Sequence, residues 1–269
     1  MTEIAAGGVS VKPDRNLQSE TDEFRARIYA GYSSQRHEEL VPVTVAGLES
    51  RGPHLRAMIR HHFPADRDAV VLDLGCGHGT IVEFAHRAGY RHVAGVDRSA
   101  EQVREARRLG IQGVEEGDLF ETIAHARSDS LDVVICFDVI EHLTRGELFP
   151  LVDEVFRALK PSGRWLIHSP NAESPFFGRI RYGDLTHELA FTRASIGQLL
   201  FSSGFASVLC YEDAPVVHGA LSAIRWVVWK SVRAFLRLWL AAETGRLREP
   251  AIFSQNFLVV AFKPPCASS

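Results

Sequence analysis

Between Pro53 and Phe63 the apolar residues Leu55, Met58, Ile59 and Phe63 recur at i, i+3, i+4 and i+8, the spacing of a helix with one buried face. The period then changes. Ala69-Val-Val-Leu-Asp-Leu74 is a short apolar run of the kind expected for a strand covered on both sides. From there the pattern alternates. It predicts helices over 81–88, 100–109 and 147–159, closed by Gly89, Gly110 and Lys160-Pro161, and strands over 92–96, 111–115, 131–137 and 164–168. A helix over 193–203 stops at Gly204, and strands follow over 206–211 and 254–263. Strands and helices that trade places at these spacings need right-handed crossovers, which predicts an α/β fold: a parallel sheet with helices on both faces. Ahead of it, the polar stretch to Glu23 is expected to be loosely ordered. The stretch 24–41, with Tyr29, Tyr32 and mixed polarity, is expected to form part of an N-terminal helical cap.

The composition keeps this picture and narrows the partners. Apolar residues make up 46% and charged residues 23% of 269, which excludes a disordered or collagen-like chain and suits one decorated domain. Thirty basic against 33 acidic side chains leave a formal charge of −3, so nucleic-acid binding over the whole surface is not expected. Cys76, Cys136, Cys210 and Cys266 are scattered without a C-x-x-C pair, the pattern of a reduced compartment. The first fourteen residues lack a basic start followed by an apolar core, and no run approaches a membrane span, so a cytoplasmic location is expected.

The chemistry concentrates in Val71-Leu-Asp-Leu-Gly-Cys-Gly-His-Gly-Thr80, a strand that runs into a glycine-rich turn and then a helix. In open α/β sheets a ligand sits beyond the carboxyl ends of the strands, where glycines let the backbone approach and the next helix presents free N–H groups. Gly75, Gly77 and Gly79 follow G-x-G-x-G. Thr80 stands where the dinucleotide fingerprint needs its last glycine, which argues against a nicotinamide oxidoreductase. Three further acids each follow a predicted strand: Asp97, Asp118 in Glu116-Gly-Asp-Leu-Phe120, and Asp138 in Cys136-Phe-Asp-Val-Ile-Glu-His-Leu143.

This set resembles the class I S-adenosylmethionine-dependent methyltransferases over about residues 50–212 and again in the final strand. The resemblance implies a Rossmann-like, seven-stranded, mostly parallel sheet whose last strand is antiparallel, and S-adenosyl-L-methionine as methyl donor. It also implies that the three glycines cradle the donor, with Asp73 near its methionine ammonium. Asp97 would face the ribose hydroxyls, Asp118 would receive the adenine amino group, and Asp138 would begin the loop beside the methyl. On the acceptor side, His142 is a candidate base. So are Asp184 and His187 in Tyr182-Gly-Asp-Leu-Thr-His-Glu-Leu-Ala-Phe-Thr192. Asp-x-Thr-His followed by Phe-Thr resembles methyltransferases of bacterial surface-glycan clusters and, more loosely, ubiquinone-pathway O-methyltransferases. The expected function is O-methylation of a sugar hydroxyl on a small or lipid-linked acceptor. A phenolic quinone precursor, or S-adenosylmethionine binding without catalysis, stays open beside it. Asp184, His187 and Glu188 lack further oxygen ligands at a telling spacing, so no metal is predicted. His78 is expected to be a solvent-facing spacer, and His61-His62 a helix-end pair.

About forty residues separate the strand over 206–211 from the last one. Between 215 and 242 lie Arg225, Lys230, Arg233 and Arg237 and no acid. On a wheel of ~100° per residue the four cations share one sector. Leu221, Ile224 and Val228 lie opposite, Trp226 and Trp229 within or beside the basic sector, and Trp239 away from it. Such a helix either lies on an anionic membrane, placing the protein on its inner face, or packs its apolar side on the core, as a lid, or in a homodimer. The chain is therefore divided into a cap over 1–50, a donor-binding core over 51–212, a basic amphipathic insertion over 213–253, and the last strand and tail over 254–269.

Overall fold

The computed structural model describes residues 44–246 and 250–266 together with Ile28. Most of the expected N-terminal cap therefore lies outside the described residues, and its described end is a 3-10 turn, Val45–Ser50. Pro53, in a first turn that has no use for its missing N–H, helps open α1 (Gly52–His62), where Leu55, Met58 and Ile59 form the buried face. There follow β1 (Val70–Leu74), α2 (Thr80–Arg87), β2 (His92–Asp97), α3 (Ala100–Leu109), β3 (Val114–Glu116), α4 (Leu119–His125) and β4 (Leu131–Phe137). The second half comprises α5 (Arg145–Ala158), β5 (Leu159–Pro170), α6 (Phe177–Arg181), α7 (Arg193–Ser202), β6 (Ser207–Glu212), α8 (Ala220–Thr244) and β7 (Asn256–Phe262).

The strands form one seven-stranded sheet in the order β3-β2-β1-β4-β5-β7-β6. β1 to β5 pair in parallel, and β7 runs antiparallel to both β5 and β6. The sheet grows from β1 to β3 in one direction and from β4 to β5 in the other, so a topological switch point lies between β1 and β4. Side chains alternate across it. Val134, Cys136, Trp165 and Ile167 enter a core with α5 and α7 residues. Val133, Ile135 and Leu166 enter the opposite core with residues of α1, α2 and α3.

The departures from the sequence pattern have local causes. The strand expected over 111–115 begins only at Val114: Gly113 takes a φ of 81°, and Ile111 turns into the core instead. α5 starts earlier than expected because Thr144 and Glu147 form a capping box. Its end at Ala158 is no stop, since Leu159 pairs at once with Leu131 before an irregularity brings Arg164 opposite Val133. The short helices α4 and α6 are additions to the predicted pattern. The insertion forms the 25-residue helix α8, but its apolar side does not complete the core: Ala241 is its sole buried residue.

Candidate active site

A cavity of about 550 Å³ lies at the carboxyl ends of the parallel strands, within the size range of small-molecule sites. Asp73, Gly75, Gly77, Asp97, Asp118, Asp138, His142, Asp184 and His187 all line it. Gly79 does not: it caps α2 at a φ of 79°, and a Cβ there would meet Val114 Cγ2 at 2.4 Å. His78 lines the cavity too, and is no solvent-facing spacer. Its ring lies between Gln102 Oε1 at 3.2 Å and Thr80 Oγ1 at 2.8 Å, and burial lowers its pKa.

One half of the cavity is acidic. The two-residue period of β1 puts Asp73 on the same face as Val71, in the apolar core, with its side chain 1% exposed. Neither of its carboxylate oxygens has a hydrogen-bond partner among the described residues. Burial, and then the charge of Asp97, push its pKa up to about 8. A cationic ligand group would supply the charge this site lacks. Asp97 accepts from the Gly77 and Ser99 N–H groups, each at 2.8 Å, one on each oxygen. Those donors aim the carboxylate and leave each oxygen a lone pair for a diol. Burial raises the Asp97 pKa, and the two backbone N–H bonds oppose it. Asp118 is the N-cap of α4. Its Oδ1 accepts from Phe120 N–H (2.8 Å) and Glu121 N–H (3.1 Å).

The other half holds a relay that links residues 44 positions apart. Asp184 Oδ1 accepts from the Thr186 N–H (2.9 Å) and lies 2.6 Å from Thr186 Oγ1. An ionised carboxylate can only accept, so the hydroxyl donates to it. Thr186 Oγ1 must then accept from His142 Nδ1 at 2.8 Å. The neutral imidazole therefore carries its proton on Nδ1 and its lone pair on Nε2. Burial, followed by the neighbouring His187, brings the His142 pKa down to about 4, so it is neutral at neutral pH. Asp184 Oδ1 thus bonds Thr186, through which it can position His142. His187 Nδ1 lies 3.1 Å from the Ile180 carbonyl oxygen, and its ring meets that of His142 edge-on at 4.7 Å.

Glu141, His142 and His187 offer ligand atoms that all lie within 4.8 Å of one another, a set that could hold a cation. The trio Asp184, His187 and Glu188 is not assembled: the Asp184 carboxylate is engaged by Thr186, and Glu188 is exposed. Glu141 is 1% exposed, and burial together with Asp138 pushes its carboxyl well above the usual range.

Beneath the cavity lies a cluster the sequence analysis missed. His168 of β5, 1% exposed, sits 2.5 Å from Asp138 Oδ1 and 3.5 Å from Asp213 Oδ2. It stacks on Phe137 at 3.9 Å and meets His54 of α1 edge-on. His54 in turn lies 3.2 Å from Asp213. Burial alone would lower the His168 pKa, but Asp138 and Asp213 outweigh it and hold it at about 10. The available signal was a histidine in the apolar run Trp165-Leu-Ile-His168, on the face that Leu166 occupies. Thr186 was signalled by Asp-x-Thr, the pattern of an Asx turn.

Residues 71–163 match the family model described as a methyltransferase domain. A probable S-adenosylmethionine-dependent methyltransferase of Mycolicibacterium smegmatis is 34% identical over 161 residues, covering 59% of this chain and 58% of that protein. A ubiquinone biosynthesis O-methyltransferase of Idiomarina loihiensis is 33% identical over 98 residues, covering 35% of this chain and 39% of that one. The chain thus spans about two-fifths to three-fifths of these relatives. The fold matches a crystal structure of a SAM-dependent methyltransferase from Archaeoglobus fulgidus. The TM-score is 0.58, the identity 22%, and the match covers 81% of this chain and all of that one.

Proposed function

We propose that residues 71–163, which match a methyltransferase domain, form a class I S-adenosylmethionine-dependent methyltransferase domain, and that the protein methylates a hydroxyl oxygen of a sugar or lipid-linked glycan with S-adenosylmethionine as donor. One observation carries this reading: a single cavity holds a buried carboxylate, Asp73, with no hydrogen-bond partner among the described residues, and a histidine whose tautomer is fixed by a relay. Asp73 suits a methionine ammonium, and Asp97 a ribose diol. Asp118 has Oδ1 committed to the cap of α4, so Oδ2 would take an adenine amino group.

When bound, the donor supplies a sulfonium methyl whose leaving group is a neutral thioether, so the protein has to align the acceptor and accept its proton. His142 Nε2 holds the lone pair for that proton. Thr186 and Asp184 fix the ring, and His187 flanks the acceptor. A phenolic acceptor is the second reading, favoured by the likeness to a ubiquinone biosynthesis O-methyltransferase. A lipid-linked acceptor would bring the reaction to the inner face of a membrane.

The test incubates the protein with S-adenosylmethionine labelled in its methyl group and separate pools of bacterial glycan, small phenols and protein. Label is expected in the glycan pool; label in the phenol pool would favour the second reading. Calorimetry alongside should show Asp97→Ala weakening donor binding by about tenfold or more, the loss of a charge-assisted bond. A wild type that binds the donor without transferring label would be a binding protein. One that does not bind it would overturn the reading altogether.

A further inference from the structure

Amphipathic helices on globular proteins turn their apolar stripe to the core. α8 does the reverse. Arg233, bonded to Glu212 at the end of β6, marks the side that faces the body. Counting ~100° per residue from Arg233, Leu221, Ile224, Val228, Phe235, Leu238 and Trp239 fall between roughly 140° and 240°. All six are exposed, Leu221 to 84%, and Phe235 and Trp239 meet edge-on at 6.1 Å. The stripe runs for ~27 Å along the helix, at ~1.5 Å per residue, and contains no charge. On the same count Arg225 falls at roughly 280°, beside one edge of the stripe, and Lys230 and Arg237 at roughly 60° and 40°, on the side away from it. Lys230 Nζ sits over the rings of Trp226 (5.2 Å) and Trp229 (5.6 Å).

We propose that α8 docks this stripe into the headgroup boundary of an anionic lipid bilayer, with the long side chains of Arg225, Lys230 and Arg237 reaching up past the stripe to lipid phosphates. The charge pattern selects this occupant. No acid lies between 214 and 242, so the helix carries positive charge alone, which an anionic headgroup layer complements and a second, equally basic α8 does not. Indole and lysine side chains suit the interface. Spanning is ruled out for this helix: no helix among the described residues is long and apolar enough to cross a membrane. This docking goes beyond the methyl-transfer reading and does not depend on it, because vesicle binding is measured without donor or acceptor.

The full chain would be floated with vesicles of phosphatidylcholine alone and of phosphatidylcholine with phosphatidylglycerol at 3:1, at low and high salt. Binding is expected with phosphatidylglycerol and should fall as salt rises. Each interfacial cation contributes about fivefold, so Arg225→Gln/Lys230→Gln/Arg237→Gln should partition ~100-fold more weakly. Phe235→Ser/Trp239→Ser, which alters exposed positions only, should lose more than about tenfold. Circular dichroism would confirm that both variants keep the wild-type fold. Absence of wild-type binding at low salt, or wild-type binding by both variants, would overturn the proposal. So would a solution dimer that both variants dissociate while vesicles have no effect, which would assign the stripe to a second copy.

Discussion

At the scale of single residues, the function of His142 hangs on the Thr186 hydroxyl, which joins the imidazole to Asp184. Thr186→Val removes the hydroxyl and keeps the shape, so it should lower kcat by about tenfold or more, within the ~10²–10⁴-fold that general-base help supplies. Donor affinity should stay unchanged, and Thr186→Ser should restore the rate. Because the His142 pKa lies at about 4, the acid limb of kcat/KM should fall there rather than near an ordinary histidine at about 6.5. Full activity in Thr186→Val would leave positioning alone as the catalytic device. Asp73, Asp97, Asp118 and Asp138 were legible in the sequence because each sits at or just past a strand end, where the fold itself fixes its place. Glu141, His168 and the bond that joins Thr186 to His142 were not. Their roles arise from contacts between residues 28 to 44 positions apart, which local pattern does not encode.

At the scale of elements, the β1–α2 turn separates two uses of glycine. At Gly77, φ is 56°, and the nearest atom to an added Cβ is Gln102 Oε1 at 3.7 Å. At Gly79 the same left-handed strain is joined by Val114 Cγ2 at 2.4 Å and Ile111 Cγ2 at 3.1 Å. Gly77→Ala should therefore cost about 1–2 kcal/mol of stability, the strain of a left-handed residue. Gly79→Ala should cost a further ~1–3 kcal/mol through overpacking. Urea titration of the two variants checks the order; equal midpoints would mean that α2 shifts to make room. The elements themselves were mostly legible, because the change from a period of 3.6 to continuous apolar runs marks each helix and strand. The exceptions have physical reasons. α4 is only seven residues long, too short for a helical period to show, and Asp118 before it is its N-cap. For α8 the sequence gives an amphipathic helix but not which side faces out, since that depends on Glu212 holding Arg233 to the body.

At the scale of the whole molecule, His168 ties together parts of the chain that meet nowhere else in sequence. It joins the end of β5 to Asp138 after β4, to Asp213 after β6, and by ring contact to His54 of α1. Asp138 needs such support: it is a non-glycine residue at a φ of 57°, and its N–H also donates to the His168 carbonyl oxygen at 3.0 Å. The same imidazolium lets the two acids stay ionised. Burial would raise Asp138 and Asp213, but His168 outweighs it and lowers both. A histidine whose folded pKa is raised contributes its full stability below its unfolded value, about 6.5, and loses it as pH rises through the folded value, about 10. For this buried group the amount is on the order of a few kcal/mol. Other groups titrate in the same window, so the quantity to follow is the stability difference between wild type and His168→Gln, from urea unfolding at pH 6 to 10. It should be largest near pH 6 and shrink steadily towards pH 10. A difference that stays constant across that range would mean His168 is neutral in the folded protein. The Asp138 carboxylate would then accept from a neutral Nδ1–H in place of an imidazolium.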